Sequence, residues 1–181
     1  MMLVCFRRVA LTGFVCLSLS NSFPATAAAS VQAGFSPEGD ALTLVLQTVN
    51  DAQQSIRLMG YNFTSPEVAK SLVDAKRRGV DVKVVLDQKS NDTRPSVAAI
   101  SLLVNAGIPV RTVSKYKIMH DKVIITDSRN TEVGSFNYTR AAARDNSENV
   151  LLIRDYPALA AKYLQHWQSR WEIGDDRKIS Y

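Results

Sequence analysis

The sequence has two cysteines, Cys5 and Cys16, and both fall at its very beginning. Beyond them no thiol is available to form a disulfide, attack a substrate or bind a metal, which excludes disulfide-stapled folds and cysteine zinc sites for the remainder. Histidine is equally scarce, with His120 and His166 as the 2 in 181 residues, and no His-Glu-x-x-His spacing occurs. Past the first twenty or so positions, charges break every apolar run well short of the roughly 18 to 20 residues that cross a bilayer. Charge of one sign is not in large excess either: 22 basic and 17 acidic side chains leave +5, while 46% of the residues are hydrophobic. Such a chain collapses around a core, and its length suits one ordinary domain better than two.

The N-terminus has the three zones of an export signal. Met1 to Arg8 ends in the basic pair Arg7-Arg8, Val9 to Ser20 is mostly apolar, and Asn21 to Ala29 turns small and polar. Ala25-Thr26-Ala27 and Ala27-Ala28-Ala29 are both acceptable cleavage sites. The apolar zone, interrupted by Thr12, Gly13 and two serines, is short for a spanning anchor, and Val15 stands before Cys16 where a lipoprotein needs a small residue. The expectation is a cleaved signal over residues 1–27, a single domain over 28–181 and a periplasmic or secreted location. The exported part has no cysteine and a net charge of +3. Its charge is uneven. Arg111 to Arg144 carries seven basic residues (Arg111, Lys115, Lys117, Lys122, Arg129, Arg140, Arg144) against Asp121, Asp127 and Glu132, a local net of +4. A cluster of this size is ordinary on a solvated face and equally suits an anionic partner.

Ser36-Pro37-Glu38 reads as a helix N-cap with proline at the first helical position, opening an amphipathic helix to about Gln53. A strand is expected at Ser55 to Tyr61. The same start signal recurs at Ser65-Pro66-Glu67, and that helix closes on Lys76-Arg77-Arg78-Gly79, basic residues and a glycine suited to a helix C-terminus. A strand at Asp81 to Asp87, a helix from about Pro95 to Ala106 and a strand at Pro109 to Ser114 continue the alternation. This βαβαβ order predicts an α/β fold, a mixed and largely parallel central sheet with helices on both faces. Lys117 to Thr126 and Thr131 to Phe136, separated by Asp127-Ser128-Arg129-Asn130, predict an antiparallel hairpin. A strand at Glu148 to Arg154 and a long helix from Pro157 to Glu172 complete the chain.

One stretch carries chemistry. His120 and Lys122 stand two apart on a predicted strand, so both point to one face, roughly 6 to 7 Å apart. Ser135 and Asn137 repeat the spacing after Gly134 on the next strand. An imidazole that can attack or shuttle a proton, an ammonium that can hold an oxyanion and two neutral hydrogen-bonding groups together suit phosphate. Glu148, on the following strand, is placed to orient the imidazole through its other ring nitrogen. Each residue also has a plain structural reading. A strand histidine commonly packs, Asp127 suits a turn, Gly134 permits close backbone packing, Asn137 or Thr139 caps a short helix and Glu148 suits an edge.

Taken together, His-x-Lys-x4-Asp (His120, Lys122, Asp127), then Gly-Ser-x-Asn (Gly134 to Asn137) and Glu-Asn (Glu148, Asn149), resembles the HKD signature of the phospholipase D superfamily. With one copy of the motif, the chain is most similar to the small Nuc-type bacterial endonucleases of that superfamily. The resemblance implies phosphodiester hydrolysis without a metal or other cofactor. It assigns His120 as the group that attacks phosphorus to give a phosphohistidine, Lys122, Ser135 and Asn137 as phosphate-binding residues, Glu148 as the supporting carboxylate and Asp127 as structural. A second histidine must protonate the leaving oxygen, and in-line displacement puts it on the opposite side of phosphorus from the first. His166, in Tyr163-Leu164-Gln165-His166-Trp167, lacks the motif's context and reads as a packing or surface residue. The second imidazole is then expected from another subunit, in a homodimer. Lys115, Lys117, Arg140 and Arg144 are expected to contact DNA or other nucleic acid, with Tyr116 or Tyr138 free to stack on a base. A lipid phosphodiesterase and a catalytically silent nucleic-acid-binding protein are the competing readings.

Overall fold

The computed structural model describes residues 28–178; the expected signal segment, residues 1–27, lies outside them. The chain order is β1 (Ser30–Ser36), α1 (Asp40–Asp51), β2 (Ser55–Gly60), α2 (Pro66–Arg77), β3 (Asp81–Asp87), a short 3-10 turn (Lys89–Asn91), α3 (Arg94–Asn105), β4 (Val110–Val113), β5 (Lys122–Thr126), β6 (Asn130–Gly134), α4 (Arg140–Arg144), β7 (Glu148–Arg154), α5 (Pro157–Glu172) and β8 (Asp175–Asp176). All strands join one sheet in the order β1-β7-β6-β5-β2-β3-β4-β8. Among the described residues no helix is long and apolar enough to cross a membrane.

Strand alternation divides the core between the two faces of the sheet. Ile56, Leu58, Val82, Val84, Leu86 and Ile124 pack with α1, α2 and α3 on one side. Met59, Val85, Val123 and Ile125 point to the other, where Ala160 and Trp167 of α5 cover them. The Trp167 indole N–H donates to the Leu58 carbonyl at 2.9 Å, fixing α5 against the middle of the sheet. The mixed sheet with helices on both faces is therefore as expected.

Its parallel share is smaller than expected. Among the strand pairs of the described residues, only β2-β3 and β3-β4, the strands joined by α2 and α3, run parallel. The pairs β1-β7, β2-β5, β4-β8, β5-β6 and β6-β7 are antiparallel. The physical cause is the segment after β4, which enters beside β2 instead of extending the β4 edge, so the sheet grows by hairpin pairing from there.

Local signals fared unevenly. Ser65 caps α2 by accepting from the Val68 N–H at 3.2 Å, with Pro66 at the first helical turn. Ser36 does not cap α1. It ends β1, its Oγ donates to the Ala142 carbonyl at 2.6 Å, and α1 begins at Asp40 after Gly39, whose φ of +103° suits glycine. β1 itself was not anticipated, because Ser-Val-Gln-Ala-Gly-Phe-Ser has weak strand propensity and is held as an edge strand by its ladder to β7. The expected hairpin forms around Asp127 and Ser128, both with φ of 54°, a primed turn closed by the Arg129 N–H on the Thr126 carbonyl at 3.1 Å. Its strands are shorter than expected at the end that matters for function.

Glu132 on β6 is fully buried. Its Oε2 accepts from the Tyr138 hydroxyl at 3.1 Å, while its Oε1 has no hydrogen-bond partner among the described residues. Burial pushes this carboxyl up from an ordinary 4.5 to about 8. Between those two pH values the folded chain keeps a proton that the unfolded chain has released, so this residue makes stability fall as pH rises from about 4.5 to about 8. Glu132→Gln, which keeps the acceptor for Tyr138, should remove that slope. Thermal melts of both proteins from pH 5 to pH 8 test this: the variant gains on the wild type as pH rises, by an amount on the order of a few kcal/mol at the upper end.

Candidate active site

Three antiparallel pairings bring four strand ends to one edge of the sheet. Gly60 at the end of β2 faces Lys122 at the start of β5, and Gly134 at the end of β6 faces Val150, two residues into β7. The carboxyl end of β3 lies there too, since β2 and β3 are parallel. At this edge is an open cavity of about 450 Å³ lined by His120, Lys122, Gly134, Ser135, Asn137 and Glu148.

His120 is not within the strand, contrary to the expectation. β5 begins at Lys122, and the preceding backbone is held elsewhere: the Met119 N–H donates to the buried Asp87 carboxylate at 2.8 Å. His120 is consequently exposed at the rim, its ring 4.6 Å from the Tyr61 ring, centroid to centroid and tilted by 54°. Lys122 is 6% exposed. Its Nζ donates to the His120 carbonyl at 2.9 Å and lies 5.1 Å from the centre of the Tyr61 ring. Burial pulls the Lys122 ammonium below its usual range, opposed by the charges of Asp121 and Glu148.

Ser135 and Asn137 also lie beyond their strand, in the turn after Gly134. A Cβ at Gly134 would come within 2.1 Å of the Asn149 carbonyl oxygen, so only glycine lets this turn approach β7. The Ser135 Oγ donates to Glu148 Oε2 at 2.5 Å and accepts from the Asn149 backbone N–H at 3.0 Å and Nδ2 at 3.3 Å. Glu148 Oε1 accepts from Asn146 Nδ2 at 2.9 Å. Both Glu148 oxygens are thus engaged by Ser135 and Asn146, and the expected bond from Glu148 to the His120 imidazole is not formed within this chain. Asn137 lines the cavity, and its buried Oδ1 has no partner among the described residues.

Asp127 is at the opposite end of β5. Its carboxylate accepts from the backbone N–H groups of Gln53, Gln54 and Ser55 at 2.7 to 3.2 Å, tying the hairpin to the start of β2. Lys115, Lys117, Arg140 and Arg144 are exposed and outside the cavity lining. The first two precede His120 in the chain and the others are on α4, where Arg144 lies 4.0 Å from Glu67. Of the two tyrosines expected to stack on a base, Tyr116 is 37% exposed, with Arg170 5.1 Å from its ring, whereas Tyr138 is fully buried and unavailable. His166 on α5 is outside the cavity, but its Nε2 lies 3.1 Å from an Asp121 oxygen, so it holds the residue between His120 and Lys122.

Tyr61, Asp87 and Asn91 surround the motif and went unread in the sequence. The only signal for Tyr61 would have been the pairing of β2 with β5, which joins segments some sixty residues apart and leaves no local trace.

An imidazole at a cavity rim, a desolvated ammonium beneath it and a hydroxyl clamped by a carboxylate can bind a phosphoryl group and attack it. Residues 45–171 match the family described as cardiolipin synthase, PLD-like domain. The chain is similar to the crystal structure of Nuc, a phospholipase D family member from Salmonella typhimurium, with a TM-score of 0.83 and 51% identity, covering 84% of this chain and 100% of that one. It is 35% identical over 149 residues to a phospholipase D of Rickettsia typhi, covering 82% of this chain and 72% of the relative. It is 33% identical over 146 residues to the human mitochondrial cardiolipin hydrolase, covering 80% of this chain and 57% of the relative. The chain belongs to the phospholipase D superfamily and is a phosphodiesterase of that group.

Proposed function

We propose that this phosphodiesterase is an exported endonuclease that cleaves DNA, with RNA as a second candidate substrate, in a homodimeric site without a metal ion. The observation that carries the reading is the cavity itself, in which one imidazole, one buried ammonium and the Ser135-Glu148 pair meet in a chain whose likeness to Nuc runs over that protein's whole length. In the first step a His120 ring nitrogen bonds to phosphorus as the bond to the leaving oxygen breaks, and that oxygen takes a proton from a second imidazole. Water then attacks the phosphohistidine, the second imidazole accepts the water's proton, and His120 is released. Lys122 neutralises charge on the non-bridging oxygens, with the Asn137 amide donating to them and Ser135 joining it only by turning its one proton from Glu148 to the phosphate. His166 is committed to Asp121 and outside the cavity, which supports His120 of the partner subunit as the second imidazole. Among the described residues no three His, Cys, Asp or Glu side chains gather as a metal-binding group.

A lipid substrate is the second reading, favoured by curated relatives that are a phospholipase D and a cardiolipin hydrolase. The exposed Lys115, Lys117, Arg140 and Arg144 support nucleic acid, because a long phosphate backbone can reach charges outside the cavity whereas one head group fills only its centre.

Three outcomes are expected. His120→Ala should lose plasmid nicking in excess chelator, where the wild type stays active, yet fold and bind DNA; undiminished turnover by the purified variant refutes the role. Mixing His120→Ala with wild type under proven subunit exchange should depress activity below the wild-type subunit fraction, because a mixed dimer has one imidazole where two are needed. Strict proportionality would rule out a shared site. Neutralising Lys115 and Lys117 should raise the apparent KM for DNA and flatten its salt dependence, with little change on a small phosphodiester. Equal losses on both substrates would place these lysines elsewhere in the mechanism, and phospholipid turnover without nucleic-acid cleavage would establish the lipid reading.

A further inference from the structure

The residue that touches both halves of the His120-Lys122 pair is Tyr61. Its ring lies 4.6 Å from the imidazole and 5.1 Å from the ammonium of Lys122, measured between centroids and from Nζ to centroid. Tyr61 follows β2 directly, next to Gly60, which pairs with Lys122. Gly60 itself is confined: a Cβ there would sit 3.1 Å from both Leu86 and Tyr138, so the chain delivers Tyr61 to the cavity edge by close packing.

What keeps Tyr61 and His120 in register is a buried polar bracket at the end of β3. Asn91 is fully buried, and its Nδ2 donates to the Tyr61 carbonyl at 2.8 Å and the Asp87 carbonyl at 2.7 Å. Its Oδ1 accepts from the Phe63 N–H at 3.0 Å. Asp87 is 2% exposed; one carboxylate oxygen accepts from the Ser90 N–H at 2.9 Å and the other from the Met119 N–H at 2.8 Å. One short segment, Asp87 to Asn91, therefore grips the backbone on either side of Asn62, starting at the Tyr61 carbonyl, and the residue before His120. Among the described residues neither His120 ring nitrogen is held by a carboxylate, since Glu148 is taken up by Ser135 and Asn146. Among the described residues the aromatic wall is the contact made to the imidazole ring.

We propose that Tyr61 is a positioning residue: its ring, fixed by the Asp87-Asn91 bracket, holds the His120 imidazole in its attacking orientation and shields the Lys122 ammonium from water. This rests on the reading of His120 as the nucleophile. The ring, not the hydroxyl, does this, because the contacts to both residues are made by the ring: it attracts the ammonium and packs against the imidazole. A nucleophile that swings out of line loses rate without losing affinity for a substrate bound mainly by cations.

The test uses bis(p-nitrophenyl) phosphate and the full exported chain. Tyr61→Leu should lower kcat by roughly 10- to 100-fold with KM within about twofold, the size of loss that a misplaced reacting group causes. Tyr61→Phe should recover most of that loss. In wild type the His120 ring protons should show an aromatic ring-current shift in the NMR spectrum, kept in Tyr61→Phe and gone in Tyr61→Leu. If the leucine variant does not fold, Tyr61→Met takes its place, being unbranched and more adaptable. A change confined to KM, a phenylalanine variant as slow as the leucine one, or an unshifted His120 in wild type would overturn the proposal. A wild type inactive on all phosphodiesters would instead overturn the nuclease reading, so the two failures are distinct.

Discussion

Everything at the active edge depends on β5 pairing antiparallel with β2. That ladder, Gly60 opposite Lys122 through Ile56 opposite Thr126, carries the HKD motif into the middle of an otherwise helix-linked sheet. It sets Lys122 beside Tyr61 at one end and Asp127 beside the start of β2 at the other. Because β6 and β7 continue by antiparallel pairing, Ser135 and Glu148 arrive at the same edge as His120. A register slip of one residue would turn Lys122 away from Tyr61 and toward the apolar layer under α5, so the pairing that builds the core also aims its ammonium at the cavity.

Two buried ionisable groups show how the core accommodates the site. Lys122 lies among a ring face, a carbonyl oxygen and nearby carboxylates, each offsetting part of the cost of removing an ammonium from water. A site of low hydration strengthens the attraction of that ammonium for a phosphoryl group. Glu132 lacks any cation partner among the described residues and stays protonated instead, its hydrogen bond going to Tyr138. Tyr138 in turn offers its carbonyl to the Thr64 and Ser65 N–H groups, linking the turn that holds Asn137 to the start of α2. The interior thus keeps a charge at the cavity, on Lys122, and suppresses one within the packed core, on Glu132.

The division of labour within the motif follows from reach. Asp127, five residues beyond Lys122, satisfies three backbone N–H groups at the far end of β5 and has no access to the cavity. Gly134 contributes by having no side chain, and Ser135 by accepting from Asn149 while donating to Glu148. The motif is as much a specification of how three strand ends fit together as a set of reactive groups.

Much of the site was legible in the chain because its members occur in short runs whose spacing is itself the signal. His120 with Lys122, Gly134 to Asn137 and Glu148 with Asn149 stand within three segments, and the cavity gathers His120, Lys122, Gly134, Ser135, Asn137 and Glu148. Helix caps such as Ser65 and the turn at Asp127 were readable for the same reason, being decided by neighbours a few residues away. Strand order, the antiparallel entry of β5, the edge strand β1 and the short ends of β5 and β6 were not, since they depend on which distant backbone satisfies each N–H and carbonyl. Sequence alone determined which residue types line the cavity and how they are spaced; tertiary structure decided that Tyr61 faces His120, that Glu148 bonds to Ser135 instead of the imidazole, and that His166 holds Asp121. Those contacts join segments far apart in the chain, and only the folded sheet brings them within hydrogen-bond or van der Waals distance.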